Sequence, residues 1–231
     1  VARKGLEFGK LCRELLNLPK NLYHPRNKAK KMIVPEKITN FNRTQAELEE
    51  FALFAILVAG KSAKVTAKKL DNFLFVPCQL GTMTAFEWII HLNQIQITDR
   101  ALYHMVKLHR LGQYRRVVRA FTDIVKLKDK LSTVTVDELE QVYGIGRKTA
   151  SFFVVHSQAN ARHAVLDTHI LHWLRDNGHD APMVTPSRRK YVELEQVFLD
   201  YCEQAQKTPA ELDLEIWKKY SGALTNAADI V

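Results

Sequence analysis

Apolar residues recur three and four positions apart along almost the whole chain, and no convincing run of alternating apolar and polar residues interrupts them. That period belongs to helices with one buried face, so the pattern predicts an all-α protein. Leu6 to Leu16 reads as a short amphipathic helix. Thr44 to Ala59 reads as a helix capped by Thr44 that turns wholly apolar after Glu50, and a helix apolar all round belongs inside a bundle. Val65 to Phe75, Ala85 to Ile95 and Asp99 to Leu111 continue the series, and Gly112-Gln113-Tyr114-Arg115 opens a basic helix to about Leu127. Ser187 to Gln206 and Pro209 to Tyr220 complete it, the last with Thr208 as cap and Pro209 at the first helical position.

The region between these elements carries more information than the rest. Thr135-Val136-Asp137-Glu138 has the form of a capping box, and Leu139, Val142 and Tyr143 follow as an apolar face at helical spacing. Gly144 then stops the helix, since glycine enters positive φ at little cost, and Gly146 opens another that runs to about His156. The free amides of Gly146, Lys148 and Thr149 would face outward at the positive end of a helix dipole, a place that holds a phosphate whatever the base. The same residues also suit an ordinary tight turn. Further on, Asp167 is placed to cap a helix starting at Thr168, which Asn177-Gly178 ends.

Two strings remove much of that ambiguity. Gly144-Ile145-Gly146-Arg147-Lys148-Thr149-Ala150 resembles, almost residue for residue, the hairpin of the helix-hairpin-helix DNA glycosylase superfamily that includes endonuclease III and the 8-oxoguanine glycosylases. Val165-Leu166-Asp167-Thr168-His169-Ile170 resembles that family's catalytic aspartate segment, at compatible spacing. The resemblance implies a two-lobed helical fold. One lobe would be the central bundle, residues 44–127, and the other residues 1–43 plus 128–231, with the hairpin at about 135–157 near the junction. It implies that Lys148 is the nucleophile and Asp167 its carboxylate partner. Lys148 would attack C1′ of an extruded nucleotide, displace the base as a Schiff base forms, and cleave the strand by β-elimination. Asp167 would face the positive charge developing on the sugar and help deprotonate the amine. Taken singly, Lys148 is also a phosphate-binding or solvated lysine, and Asp167 only an N-cap.

Other positions follow with less force. Gly144, Gly146, Arg147 and Thr149 are expected on the DNA backbone, and His169 either there or on a helix surface. Lys61, in Gly60-Lys61-Ser62 after the central helix, stands where family members place a residue that fills the gap left by the flipped base. It is read equally as a surface lysine. Glu211-Leu212-Asp213-Leu214-Glu215-Ile216-Trp217 looks like the ending of small archaeal 8-oxoguanine glycosylases, with Trp217 read as core first and lesion pocket second. Phe152, Phe153, Trp88 and Trp173 are the other aromatic candidates for stacking on a base.

Charge agrees with this picture without making it. The 231 residues carry 34 basic and 25 acidic side chains, a net charge of +9, which favours a polyanionic partner. A basic, proline-punctuated stretch with Lys20, His24, Arg26, Lys28, Lys30 and Lys31 suits phosphates or simple solvation. Cys12, Cys78 and Cys202 lie too far apart for a zinc or iron–sulfur pattern, a departure from endonuclease III. No cofactor and no metal are therefore expected. The longest apolar run, Phe51 to Ala59, is too short to span a bilayer, so a soluble, intracellular or nucleoid-associated monomer is expected. The expected partner is double-stranded DNA with a damaged or modified base. The missing iron–sulfur pattern and the carboxy-terminal passage lean toward 8-oxoguanine over an oxidised pyrimidine. Three other readings remain open at this point: a glycosylase-fold transferase acting on modified bases in viral DNA, a non-catalytic hairpin DNA-binding protein, and a monofunctional glycosylase in which Lys148 only grips DNA and water performs the attack.

Overall fold

The structure, a computed structural model, describes residues 33–79, 83–94 and 100–228, and every regular element among them is helical. In chain order these are α1 (Gln45–Val58), α2 (Ala63–Gln79), α3 (Ala85–Gln94), α4 (Ala101–Leu108) and α5 (Tyr114–Ile124). There follow α6 (Val136–Glu140), α7 (Arg147–Ser157), α8 (Thr168–Asp176), α9 (Arg188–Gln204) and α10 (Pro209–Ala228). Short 3₁₀ turns occupy Pro35–Lys37 and Val125–Lys130. The expected helix Leu6 to Leu16, the basic stretch from Lys20 to Lys31, Cys12 and the side chain of Cys78 lie outside the described residues, as do Ile95 and Asp99.

The apolar central helix behaves as its sequence demands. Thr44 caps α1 in a reciprocal box with Glu47, whose carboxylate accepts from the Thr44 amide at 2.8 Å. From Phe51 to Leu57 every residue of α1 is buried, and the helix packs on α2, α3, α5 and α7. Each large side chain removed from water in this way contributes about 1.5–3 kcal/mol. Glu49 is the polar exception: fully buried, it accepts from the Phe86 amide at 3.0 Å, in the first turn of α3, where a helix dipole favours a negative charge.

Two large buried cores result, beside a small third cluster of Val155, Val165 and Ala210. The first gathers apolar residues of α1 to α5 together with Val136, Leu139, Val142, Ile145, Ala150 and Phe153, so the hairpin shares the interior of the bundle. The second is built from α8, α9 and α10, with Tyr191, Phe198 and Ile216 among its members. Three sequence expectations are corrected. The helix expected to reach Leu111 ends at Leu108, because Arg110 (φ 53°), Gly112 (φ 76°) and Gln113 (φ 43°) turn the backbone left-handed. The basic helix expected to reach about Leu127 closes at Ile124 and continues as a 3₁₀ turn. Tyr143, expected on an apolar face, is 42% exposed, with the Arg119 guanidinium 3.9 Å above its ring. Among the described residues no helix is long and apolar enough to cross a membrane.

Candidate active site

The hairpin forms where its glycines stand, for two different reasons. Gly144 sits at φ 77°, and a Cβ there would lie 2.9 Å from Arg116 Nε and 3.1 Å from its Cγ. Arg116 closes over the turn by donating from Nη2 to the Gly144 carbonyl at 2.8 Å. Gly146 has ordinary extended geometry (φ −97°, ψ 171°) as the N-cap of α7, and nothing lies within 4 Å of the position a Cβ would take. The front of α7 is therefore open, and its first-turn amides have no intrahelical acceptor. Thr135 and Glu138 cap α6 reciprocally, as their spacing predicts.

Lys148 lies in the first turn of α7 and Asp167 at the N-cap of α8, and both line one cavity of about 830 Å³. Asp167 Oδ1 accepts from the amides of His169 (2.8 Å) and Ile170 (3.0 Å), which fixes the carboxylate while its second oxygen takes no part in the cap. Burial pushes the Asp167 carboxyl above the ordinary carboxylate range, and the nearby charge of Asp213 adds to that; the Ile170 amide, His169 and Lys148 pull the other way. His169 also lines the cavity, and its Nδ1 is buried with no hydrogen-bond partner. An unsatisfied ring nitrogen in a cavity asks for a ligand atom.

The other expected residues divide between the cavity and the scaffold. Arg147 is largely buried: its guanidinium turns inward to Glu140 (3.3 Å) and Glu195 (3.3 Å) and also meets the exposed Asp137 (3.2 Å). Three carboxylates thus engage the guanidinium that the sequence placed on the DNA backbone. Lys61 touches the cavity, but its Nζ donates to the Leu111 carbonyl at 2.7 Å and thereby ties the α1–α2 turn to the α4–α5 turn. Burial, then Arg116 and Lys69, lowers the Lys61 pKa below the ordinary lysine value. Thr149 is buried, with its side chain at the cavity wall.

Of the aromatic candidates, Phe152 and Trp217 line the cavity. Trp88 and Phe153 are interior to the first core, and Trp173 packs edge-on against Phe198 and Tyr201 of the second. Trp217 is thus a pocket residue more than a core one. Asp213 was not singled out by sequence, yet it lines the same cavity. Its Oδ2 lies 3.1 Å from His156 Nε2, and His156 Nδ1 lies 2.8 Å from Thr39 Oγ1. A signal for it existed: Asp213 precedes Ile216 and Trp217 by three and four positions, an acidic residue on the apolar face of its own helix. Among the described residues no group of three or more His, Cys, Asp or Glu is arranged to hold a metal ion.

A helix-hairpin-helix that runs into a capped aspartate segment, both opening on one cavity of an all-helical molecule, defines a helix-hairpin-helix DNA glycosylase. The chain belongs to the 8-oxoguanine DNA glycosylase family, whose family model matches residues 34–207. It is similar to the 8-oxoguanine DNA glycosylase/AP lyase of Methanocaldococcus jannaschii, 28% identical over 214 residues that cover 89% of this chain and 97% of the relative. It is also similar to the 8-oxoguanine DNA glycosylase/AP lyase of Picrophilus torridus, 34% identical over 86 residues, 37% of this chain and 41% of that one. Its fold is shared with the crystal structure of the M. jannaschii 8-oxoguanine glycosylase/lyase in complex with a 15mer DNA containing 8-oxoguanine, with a TM-score of 0.57, 24% identity, and coverage of 94% of this chain and 98% of that one. The 8-oxoguanine DNA glycosylase of Thermotoga maritima shares it too, with a TM-score of 0.57, 18% identity, and coverage of 93% and 95%. Family membership makes this protein a base-excising DNA repair enzyme, in place of the transferase and the non-catalytic binding protein left open by the sequence.

Proposed function

We propose that the protein removes 8-oxoguanine from duplex DNA and cleaves the resulting abasic strand, with Lys148 as nucleophile and Asp167 as its carboxylate partner. The observation that carries this reading is that Lys148 and Asp167, on different helices, line the same cavity beside an open helix amino terminus. A phosphate held by the hairpin would bring one deoxyribose to both side chains. The Lys148 amine, having lost a proton, bonds to C1′ as the N-glycosidic bond breaks, and the bonding electrons and a proton leave with the base. Asp167, kept fixed by its two amide bonds, faces the positive charge that develops on the sugar and takes the amine proton. Opening of the sugar gives an imine, loss of a C2′ proton expels the 3′ phosphate, and water releases the enzyme.

Phe152 and Trp217 offer apolar faces for an extruded base, and Asp213 offers an acceptor for N–H groups on its edge, as a guanine-type base presents. The relatives' names supply the lesion. The two-lobe division, 44–127 against the remainder, is kept as part of this proposal, since the cavity is walled by α1 on one side and by α7, α8 and α10 on the other. Borohydride reduction tests the chemistry. Duplexes bearing 8-oxoguanine or an abasic site are expected to give a covalent adduct that Lys148→Gln abolishes, while a thymine glycol duplex gives little. Asp167→Asn is expected to keep DNA binding and slow base release by about a hundredfold or more. Base release without an adduct would assign the attack to water and return Lys148 to a phosphate-gripping role.

A further inference from the structure

Lys148 and Asp167 come from separate segments, so something must fix their separation. The α7 amino terminus and the irregular passage into Asp167 are joined through one face of α9. Glu195, on α9, lies with its side chain only 10% exposed. Its Oε2 is 3.3 Å from Arg147 Nη2, and Arg147 immediately precedes Lys148. Its Oε1 accepts from the Ala164 amide at 3.1 Å and lies 3.3 Å from His163 Nδ1. One carboxylate therefore holds both the residue before the nucleophile and the segment that leads to the aspartate.

Tyr191 stands one helical turn earlier on α9 and completes the brace. Its hydroxyl donates to the Ala164 carbonyl at 2.7 Å and accepts from the Leu166 amide at 3.3 Å, the residue next to Asp167. Its ring lies 5.7 Å under the Arg147 guanidinium. The passage from Ala164 to Asp167 has no sheet or helix partner of its own, so these side chains satisfy backbone groups that would otherwise be buried and unpaired. Burial works against the Glu195 charge, yet His163, the Ala164 amide and Arg147 together hold its pKa below the ordinary glutamate value.

We infer that Glu195 and Tyr191 are positioning residues, which set the distance between Lys148 and Asp167 from outside the cavity. Neither is a residue of the cavity wall, and neither would touch DNA in this reading. The inference rests on the proposed roles of Lys148 and Asp167. It explains why Arg147 faces inward at a position where an outward charge would otherwise serve phosphate binding.

Single-turnover base release and borohydride trapping on an 8-oxoguanine duplex test it, alongside Kd for a duplex carrying a stable abasic analogue. Glu195→Ala is expected to lower both rates by about ten- to a hundredfold, the scale of a misplacement near 1 Å, with Kd changed less than about threefold. Glu195→Gln, which keeps an acceptor for Ala164 but loses the ion pair, should recover part of the rate. In an Asp167→Asn background the Glu195→Ala effect should shrink to a few-fold, because both changes act on one carboxylate. A purely structural role predicts otherwise: a lower melting temperature, an unchanged rate per active site titrated by trapping, and effects that multiply with Asp167→Asn. That outcome would overturn the inference. Should Glu195→Ala fail to fold, Tyr191→Phe carries the same test, since it removes only the hydroxyl. Lys148→Gln serves as the control: if it still traps, the reading of Lys148 fails, whereas a dead Lys148→Gln with an unaffected Glu195 series defeats the brace alone.

Discussion

Asp167 is held by two backbone amides, sits near a second carboxylate and is buried enough to titrate above the usual range. A folded-state pKa above the unfolded value means that the protonated form is favoured by folding. Stability from this group is therefore full below the unfolded value and is lost as pH rises through the raised one. At pH 7.5 the charge on Asp167 costs stability, and Asp167→Asn, which keeps a good N-cap, is expected to raise the melting temperature. In a chain of this size each kcal/mol released corresponds to about 2–4 °C. The gain should fade as pH is lowered toward the ordinary aspartate range, and it should shrink at pH 7.5 when Asp213→Asn has already removed the like charge. Differential scanning fluorimetry across pH 4.5–8 on the four variants measures both, and an equal gain at every pH would exclude the electrostatic cause. That Lys148 and Asp167 would open on one cavity was legible in the sequence, because each stands inside a contiguous string whose local geometry is set by glycines and a cap. Asp213, Glu195 and Tyr191 were not, because they reach the site or its supports from α9 and α10 by tertiary packing. The internal partners of Arg147 and Lys61 were hidden for a related reason: a charge in a turn reads as solvent-facing until carboxylates or a carbonyl from elsewhere in the fold pair with it.

The two glycines of the hairpin give different stability expectations for one substitution. Gly144→Ala places a methyl group against Arg116 at a left-handed φ, so it should cost about 1–2 kcal/mol of stability and weaken DNA binding about tenfold by displacing the turn. Gly146→Ala meets open space in an extended conformation, so its stability cost should stay within about 1 kcal/mol. The added methyl would nonetheless project where a phosphate must approach, and binding should fall as far as in Gly144→Ala. Thermal melts beside Kd measurements on an abasic-analogue duplex separate the two; a Gly146→Ala protein that binds normally would mean the phosphate does not sit on this helix end. Helix identity was readable from apolar period at α1, α7 and α9, where caps and core faces agree. Helix ends were less so. The α4 helix stops at Leu108 because three nearby residues adopt left-handed backbone, two of them not glycine, and nothing local in Arg110 or Gln113 announces that. Tyr143 leaves the interior because Arg119 offers it a cation to stack on, a partner from another helix.

Across the molecule, charge and enclosure divide the work between binding and chemistry. The net charge of +9 acts on the DNA backbone through solvent, where salt screens it, whereas the chemistry proposed for Lys148 and Asp167 takes place inside a cavity, where salt has little effect. Several of the 34 basic side chains, such as Arg147, Lys128 and Lys190, are paired with carboxylates of this chain, so the footprint on phosphates is smaller than the count of basic residues suggests. A footprint of about six phosphates predicts a loss of roughly a thousandfold in affinity between 50 and 200 mM salt. The rate of base release from a saturated complex should meanwhile stay constant within about twofold. The same titration distinguishes the two roles a lysine in this hairpin can have. A phosphate-gripping lysine contributes about one unit to the slope of log affinity against log salt, and its removal lowers the slope by that amount. A nucleophile reserved for C1′ contributes almost nothing. Lys148→Gln is therefore expected to abolish the covalent adduct while leaving the salt slope for an abasic-analogue duplex unchanged. A slope reduced by a full unit would move Lys148 from the chemistry to the grip, and would leave Asp167 and a water molecule to perform the excision.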